Sequence, residues 1–367
     1  MNTFGRKHYI PVLKWKRAER RALRALTSDQ KKDITPVFQL IPPRPTKKRG
    51  AIETQLKDIQ KSASKQYQKV AQEISDDWGS NRAFLDSGLL YSSHQRIDTI
   101  SQILSHASTV GVALTPVINL ASESDELSQL SVLGKKHGNG IALRLTRSHL
   151  ELAPATLSQL IDNCLSQIHF AAAEIDVIID LQVITAEDVD YPSIVGASQL
   201  LPHLEKWRSL TIIGGAFPKD LTNCVVDNKN YCPRTDWDNW ARYTNSGSLK
   251  RIPSFGDYTI QHPIFNEQAQ FFLPSKSIRY TVKNTWLVMR GTKKGPANQY
   301  LAHAQLLSRK EIYKEDYYGR DFSFGDDYIY TMGEDIDGPK TGNPETWLTA
   351  GINHHLACVA KQVADLT

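Results

Sequence analysis

Eight short runs of β-branched and aliphatic residues recur along the 367-residue chain, and an amphipathic helical stretch separates most of them. Each run is nearly continuous in apolar residues, which is typical of parallel strands whose sheet is covered on both faces. Alternation of such strands with helices indicates an α/β fold. The runs occupy residues 9–15, 34–41, 82–90, 112–120, 140–147, 175–184, 209–217 and 251–260. Amphipathic stretches at 52–75, 95–109, 155–172 and 196–207 lie between runs and are predicted to be helical.

Two parallel architectures accommodate eight units of this kind. A doubly wound open sheet usually carries a glycine-rich phosphate-binding turn after its first strand. Here the first run continues directly into "KWKRAE" (residues 14–19), which contains no glycine. A TIM-like (β/α)8 barrel needs about 250 residues and tolerates insertions. The sequence therefore predicts a (β/α)8 barrel, with the doubly wound sheet as the alternative.

The pattern changes after residue 260. The segments "SIRYTV" and "TWLVMR" (residues 277–290) are β-rich, and Lys283-Asn284 between them is typical of a two-residue hairpin turn. Because a hairpin is antiparallel, it cannot supply two parallel barrel strands. We predict that residues 1–260 and 341–367 form the barrel and that residues 261–340 are inserted before the last helix. Residues 311–337 contain nine acidic and two basic residues and many aromatics, and we expect a lid or a partner surface.

Charge is concentrated at the N-terminus. Residues 1–50 contain fourteen Lys and Arg but three Asp and Glu, whereas the whole chain has a net charge of +5. Such an uneven charge distribution can attract nucleic acid, an acidic protein or a second copy of the chain. Alternatively, the basic residues simply form the solvated face of a helix. The chain shows no signal-peptide core and no long apolar segment, so we expect no membrane association. The four cysteines lack zinc or redox spacing, which favours reduced thiols in the cytoplasm.

In a (β/α)8 barrel, functional residues gather at the carboxyl ends of the strands. Lys14, Lys16 and Arg144 lie within or just after apolar runs and could bind an anion. Arg290 belongs to "VMRGTKKGPAN" (residues 288–298), a basic segment with two glycines whose backbone amides could also cradle an anion. These four residues are the candidate ligand-binding residues.

Three aspartates are the candidate catalytic residues: Asp86, Asp180 and Asp257 follow apolar runs and could act as general bases or bind a divalent metal. The alternative is structural. A lone charge inside a barrel is costly, so Lys14, Arg144, Asp86 and Asp180 could instead form an internal salt-bridge network. Adjacent strand residues also point in opposite directions, so some candidates must face the helices. The motifs of zinc proteases, α/β-hydrolases, P-loop proteins and deaminases are absent.

The last helix is predicted to begin at the N-cap Asn343, with Pro344 in its first turn. It contains the adjacent pair His354 and His355. Neighbours on a helix point about 100° apart, so both rings cannot easily reach one small site. We expect His355 to pack against the barrel with a hydrogen bond to a strand or loop, and His354 to border a groove near Trp347.

Three stretches together resemble the beta protein family of phage satellites and bacterial genomes: "YIPVLKWKRAERRAL", "IRYTVKNTWLVMRG" and "WLTAGINHHL". The resemblance implies a context of phage satellites and anti-phage defence, in which the satellite member is encoded beside a cell-killing partner. The resemblance identifies no catalytic residue in this chain. The matching positions are Lys14, Lys16, Arg17, Arg279, Tyr280, Arg290, His354 and His355.

Two functional hypotheses follow. In the first, the protein is a non-catalytic recognition or immunity component of an anti-phage defence or toxin–antitoxin-like system in the cytoplasm. Its barrel mouth would bind a protein partner from the same defence operon or a phosphate-bearing ligand, such as a nucleotide or nucleic acid. In the alternative, the protein is a metal-assisted phosphoester hydrolase that uses the strand-end carboxylates and a divalent metal cofactor.

Overall fold

The computed structural model describes residues 4–42, 67–90, 92–185, 190–266, 274–310, 312, 314–334 and 336–366. Eight parallel strands form a closed barrel. The first and the last strand pair to close it, with Tyr9 opposite Phe255. The predicted (β/α)8 barrel is confirmed, and each of the eight apolar runs contains one barrel strand. The strands are β1 (Tyr9–Lys14), β2 (Val37–Gln39), β3 (Ala83–Asp86), β4 (Leu114–Asn119), β5 (Ile141–Thr146), β6 (Ile175–Val183), β7 (Ser209–Gly215) and β9 (Ser254–Asp257).

Helices follow the strands around the barrel: α1 (Arg17–Arg24), α2 (Ser28–Lys31), α3 (Val70–Trp78), α4 (Ser93–Thr109), α5 (Ser124–Lys136), α6 (Arg147–Leu150), α7 (Pro154–Ile168), α8 (Tyr191–Ser198) and α9 (Thr235–Thr244). The helical stretches predicted at 95–109 and 155–172 correspond to α4 and α7. Of the stretch predicted at 52–75, residues 52–66 lie outside the described residues. The stretch at 196–207 is wrong as a continuous helix, because α8 ends at Ser198 and Pro202, which lacks an amide hydrogen, follows.

The barrel interior is packed with side chains. Alternate strand residues point inward, and the apolar cluster inside the barrel consists of Ile10, Val12, Val37, Phe84, Val117, Ala142, Ile178, Ile213 and Tyr258. At the amino ends of the strands, Arg208 donates to Asp176 (Nη2–Oδ2 2.5 Å), and Arg82 pairs with the same carboxylate. The barrel is therefore a core rather than a channel, as is usual for this fold.

A second sheet packs beside the barrel. Strands β10 (Ser277–Val282) and β11 (Thr285–Arg290) form the predicted hairpin, with Lys283 in a left-handed conformation at φ 46°. A third strand, β8 (Asn230–Pro233), comes from the connection between β7 and β9 and pairs with β11. Helices α10 (Gln299–Arg309) and α11 (Phe324–Met332) cover the hairpin and share an apolar cluster with it.

The last helix, α12 (Pro344–Ala364), lies between the barrel and the second sheet. It contacts α1 on the barrel side and β10 and α11 on the other side, and most of its side chains are buried. Its N-cap is the predicted Asn343, whose Oδ1 accepts a hydrogen bond from the Thr346 amide at 3.0 Å. Within the described ranges, no helix combines the length and the apolar character that a membrane span requires.

Candidate functional site

One arginine held between two aspartates closes the mouth of the barrel. Arg144 projects inward from β5; its Nη1 donates to Asp86 Oδ2 at 2.6 Å, and its Nη2 donates to Asp180. Both aspartates are almost completely inaccessible. Burial alone would lower the pKa of the Arg144 guanidinium, but Asp180 and Asp86 raise it well above its usual value. The arginine is therefore a permanent cation at the centre of the mouth.

The remaining oxygens of the two aspartates are also occupied. Asp86 Oδ1 accepts a hydrogen bond from the Gly88 amide at 2.8 Å. Asp180 Oδ1 accepts one from the Gln182 amide at 2.8 Å, and its Oδ2 accepts one from the Tyr258 hydroxyl at 2.7 Å. The cavity beneath has a volume of about 10 Å³, which is room for roughly one water molecule. The two carboxylates thus serve the internal network at the mouth.

Asp257 lies on the opposite face of its strand, outside the barrel. Its Oδ1 accepts hydrogen bonds from the Tyr9 hydroxyl (2.5 Å) and the Thr259 amide (2.9 Å), and its Oδ2 lies 2.9 Å from His355 Nε2. His355 Nδ1 lies 2.7 Å from the Thr281 hydroxyl oxygen. Burial lowers the pKa of His355, although Asp257 opposes the shift. The order hydroxyl, imidazole, carboxylate is that of a hydrolytic triad, but these three side chains are buried in packed protein.

His354 makes a second, separate contact with a carboxylate. Its Nδ1 lies 2.8 Å from Asp326 Oδ2, and its Nε2 lies 2.8 Å from the Thr281 carbonyl oxygen. The ring stacks on Tyr280 with a centroid separation of 3.8 Å. The expectation that His354 borders a groove is wrong, because Tyr280 and α11 cover it completely. The two histidines do reach different partners, as their azimuths predict.

The lysine candidates lie at the mouth. Lys14 is 4% exposed; its Nζ donates to the His262 carbonyl oxygen at 2.9 Å and lies 5.5 Å from the centre of the Tyr258 ring. Burial, reinforced by the positive charge of Lys16, lowers the pKa of Lys14 to about 8. The Lys16 ammonium lies 5.0 Å from the centre of the Phe265 ring.

Arg290 is placed at the end of β11, away from this network. Its Nη1 donates to the carbonyl oxygens of Thr222 (2.9 Å) and Cys224 (2.7 Å), so it holds the connection after β7 against the second sheet. The structure therefore brings together Lys14, Asp86, Arg144 and Asp180, and leaves Asp257 and Arg290 outside the mouth. Among the described residues, no three His, Cys, Asp or Glu side chains are grouped so that they could hold a metal ion.

A groove of about 730 Å³ opens beside the mouth, between the carboxyl ends of β6 and β7 and strand β8. We call it the mouth groove. Its lining includes Ile184, Phe217, Lys219, Asn223, Tyr231 and His262. The groove is not evident from the sequence, because its outer wall is β8, which is only four residues long. The available signal was Lys219, which follows the seventh apolar run directly, where barrels commonly bind ligands.

Two lysines act on the inner end of the mouth groove, whose lining also contains Asp220. Lys219 follows β7 and His262 follows β9, while Lys14 contacts the His262 backbone. Burial lowers the pKa of the His262 imidazole, and the charges of Lys14 and Lys219 add to the shift. The two ammonium groups therefore act on the same small region of the groove.

A family model described as Beta protein matches residues 9–361. No curated protein sequence matches the chain significantly. Similar solved structures include a tryptophan synthase α2β2 complex from the hyperthermophile Pyrococcus furiosus, at 8% identity and a TM-score of 0.39 over 70% of this chain and 90% of that chain. Another is the putative copper homeostasis protein CutC from Streptococcus agalactiae, at 11% identity and a TM-score of 0.34 over 69% and 99%. Likeness at this level says nothing about function.

Proposed function

This chain belongs to the Beta protein family, and we propose that it is a recognition or immunity component that binds its ligand in the mouth groove. The observation that carries the proposal is the groove itself, a concavity of about 730 Å³ at the carboxyl ends of barrel strands. Small-molecule sites are typically concave and largely apolar, with a few convergent polar groups. The mouth groove has that composition, with Phe217 in its wall and Lys219 and His262 at one end.

The state of the carboxylates favours binding over phosphoester hydrolysis. A general base needs an acceptor oxygen within hydrogen-bond reach of its substrate. Asp86 and Asp180 each use both oxygens for protein donors, and Arg144 binds them together. A hydrolase that relied on these aspartates would first have to separate a buried ion pair, which costs several kcal/mol.

We further propose that the protein works in the cytoplasm in an anti-phage defence or toxin–antitoxin-like system, with a protein partner from the same operon. The acidic segment that includes α11 is the partner surface in this proposal. Glu315, Asp321 and Glu334 are exposed there, so the partner would present a basic face. The support is the family resemblance together with this charge distribution.

A phage-challenge assay with the complete operon tests the role of the groove. Asn223→Trp places a large side chain at an exposed position in the mouth groove, and we expect it to abolish protection. Val132→Trp is the matched control, because Val132 is 60% exposed on α5 in the outer ring. Both variants should unfold at the same temperature as the parent protein. Full protection by a folded Asn223→Trp variant would contradict the proposal.

A further inference from the structure

The inner end of the mouth groove has cations without carboxylate partners. In the part of the chain that the structure describes, neither Lys14 nor Lys219 forms a salt bridge. Two carboxylates act on the Lys14 charge without pairing with it. Glu19 accepts from Gln261 Nε2 at 2.8 Å through one oxygen while its Oε2 has no partner among the described residues, and Asp180 pairs with Arg144. Lys219 is exposed in the groove lining, whereas Lys14 is a buried ammonium behind the His262 backbone, and a buried charge without a salt bridge is costly. An anionic ligand at this end would lower that cost.

The position of these cations indicates which anion the groove would accept. Lys219 follows the seventh barrel strand and His262 follows the eighth. Loops at this place are the frequent phosphate site of (β/α)8 barrels. The groove also contains Asp220, whose Oδ1 accepts a hydrogen bond from the Thr222 amide at 2.9 Å. Hydrogen bonds from Thr222 stabilise the charged form of Asp220, so its charge offsets that of Lys219, and the excess positive charge comes from Lys14 behind the His262 backbone.

The rest of the groove suits a planar, partly polar group. Phe217 is 2% exposed, because Trp286 packs edge-on against it at 5.2 Å and the Arg279 guanidinium lies 4.8 Å from its ring centre. The accessible aromatic surface of the groove is therefore Tyr231, which is 46% exposed at the rim. Nucleobases stack on aromatic surfaces of this kind. The Asn223 amide and the Thr235 hydroxyl line the same groove and form no hydrogen bond with other described residues. Both can therefore pair with the edge of a base.

We infer that the mouth groove binds a mononucleotide, with the phosphate at the Lys219 and His262 end and the base against Tyr231. The inference rests on the proposed function and names the class of its ligand. The volume of about 730 Å³ lies within the range of small-molecule sites, roughly 300–1,000 Å³, and is far larger than a phosphate ion alone requires.

Calorimetric titration of the full chain tests the inference. The probes are AMP, GMP, CMP, UMP, ribose 5-phosphate, inorganic phosphate and the four unphosphorylated nucleosides. At least one mononucleotide should bind roughly tenfold more tightly than ribose 5-phosphate and than its own nucleoside, a difference of about 1.4 kcal/mol. Ribose 5-phosphate and inorganic phosphate distinguish a nucleotide site from a general phosphate site.

Three variants locate the ligand. Lys219→Gln should weaken the binding of mononucleotides and ribose 5-phosphate by roughly tenfold, a loss of about 1.4 kcal/mol. Lys206→Gln is the matched control, because Lys206 is an exposed lysine at the opposite, amino end of β7. Asn223→Ala should weaken mononucleotides while leaving ribose 5-phosphate unchanged. Both groove positions are exposed, so these substitutions should not impair folding.

Equal affinity for mononucleotides and ribose 5-phosphate would overturn the inference and leave only a phosphate site. Absence of binding by every probe would also overturn it, yet loss of phage protection in Asn223→Trp would still support the proposed function. Conversely, nucleotide binding together with full protection by that variant would support the inference and refute the proposed function. The two failures are therefore distinguishable.

Discussion

Replacing Arg144 with methionine would remove the cation that binds two buried carboxylates at the barrel mouth. Asp86 and Asp180 are 0% and 1% exposed, so neither gains solvation when the guanidinium is lost. Removing one partner of a buried ion pair typically costs about 3–5 kcal/mol. Here two carboxylates lose the same partner and are left facing each other, so we expect the free energy of unfolding to fall by an amount near the top of that range. Such a loss is a large part of the roughly 5–15 kcal/mol that stabilises a typical domain.

Urea unfolding followed by tryptophan fluorescence measures this loss. The informative control adds Asp86→Asn and Asp180→Asn to Arg144→Met, which removes the stranded charges but keeps amide oxygens that can accept from the Gly88 and Gln182 amides. We expect the triple variant to recover most of the lost stability. If Arg144→Met costs less than about 1 kcal/mol, the value of an exposed salt bridge, the mouth is not a closed and dry network and our reasoning fails.

Three further predictions concern α12 and acid stability. Asn343→Ala should lower the free energy of unfolding by about 1 kcal/mol in urea, because the N-cap hydrogen bond is lost. Gly351→Ala should lower the free energy of unfolding by about 1–3 kcal/mol, since the new Cβ would lie 2.6 Å from a backbone oxygen of β10. The control is Gly196→Ala, whose Cβ would meet no atom within 4 Å; it should leave stability unchanged or raise it. Stability should fall as the pH drops below about 6.5, because burial lowers the pKa of His8 to about 4 and lowers that of His355. The unfolded chain then binds protons that the folded chain excludes, and an unfolding series that is flat between about pH 7 and about pH 4 would contradict this.

The barrel was predictable because its strands are buried on both faces, which produces apolar runs that are visible without any partner. The hairpin was predictable for a local reason as well: a two-residue turn at Lys283-Asn284 sets its register. The start of α12 follows from the chemistry of a single N-cap residue, Asn343. Each of these features is encoded within a few consecutive residues.

The directions of the strand-end aspartates were not predictable. "FLD" at residues 84–86 and "FGD" at residues 255–257 look alike, yet Asp86 faces the barrel interior and Asp257 faces α12. Side chains along a strand point alternately to its two faces, so the sequence shows which residues share a face but not which face points into the barrel. The inward face depends on the register with neighbouring strands, which is a long-range property. Strand β8 was missed for a similar reason, since its four residues become a strand only by pairing with β11.

The mouth groove lies beside the filled barrel mouth, and contacts of α12 join the two parts of the fold that line the groove. The mouth is filled by its own ion network, so the available concavity lies between the strand-end loops and the second sheet. Consecutive residues of α12 hold the two walls in place: His355 binds Asp257 of the barrel, and His354 binds Asp326 of α11 and the β10 backbone. Because one rigid helix carries both contacts, the separation of the walls is set by the fold. The histidine pair therefore links the barrel to the second sheet, the two parts of the fold that line the mouth groove.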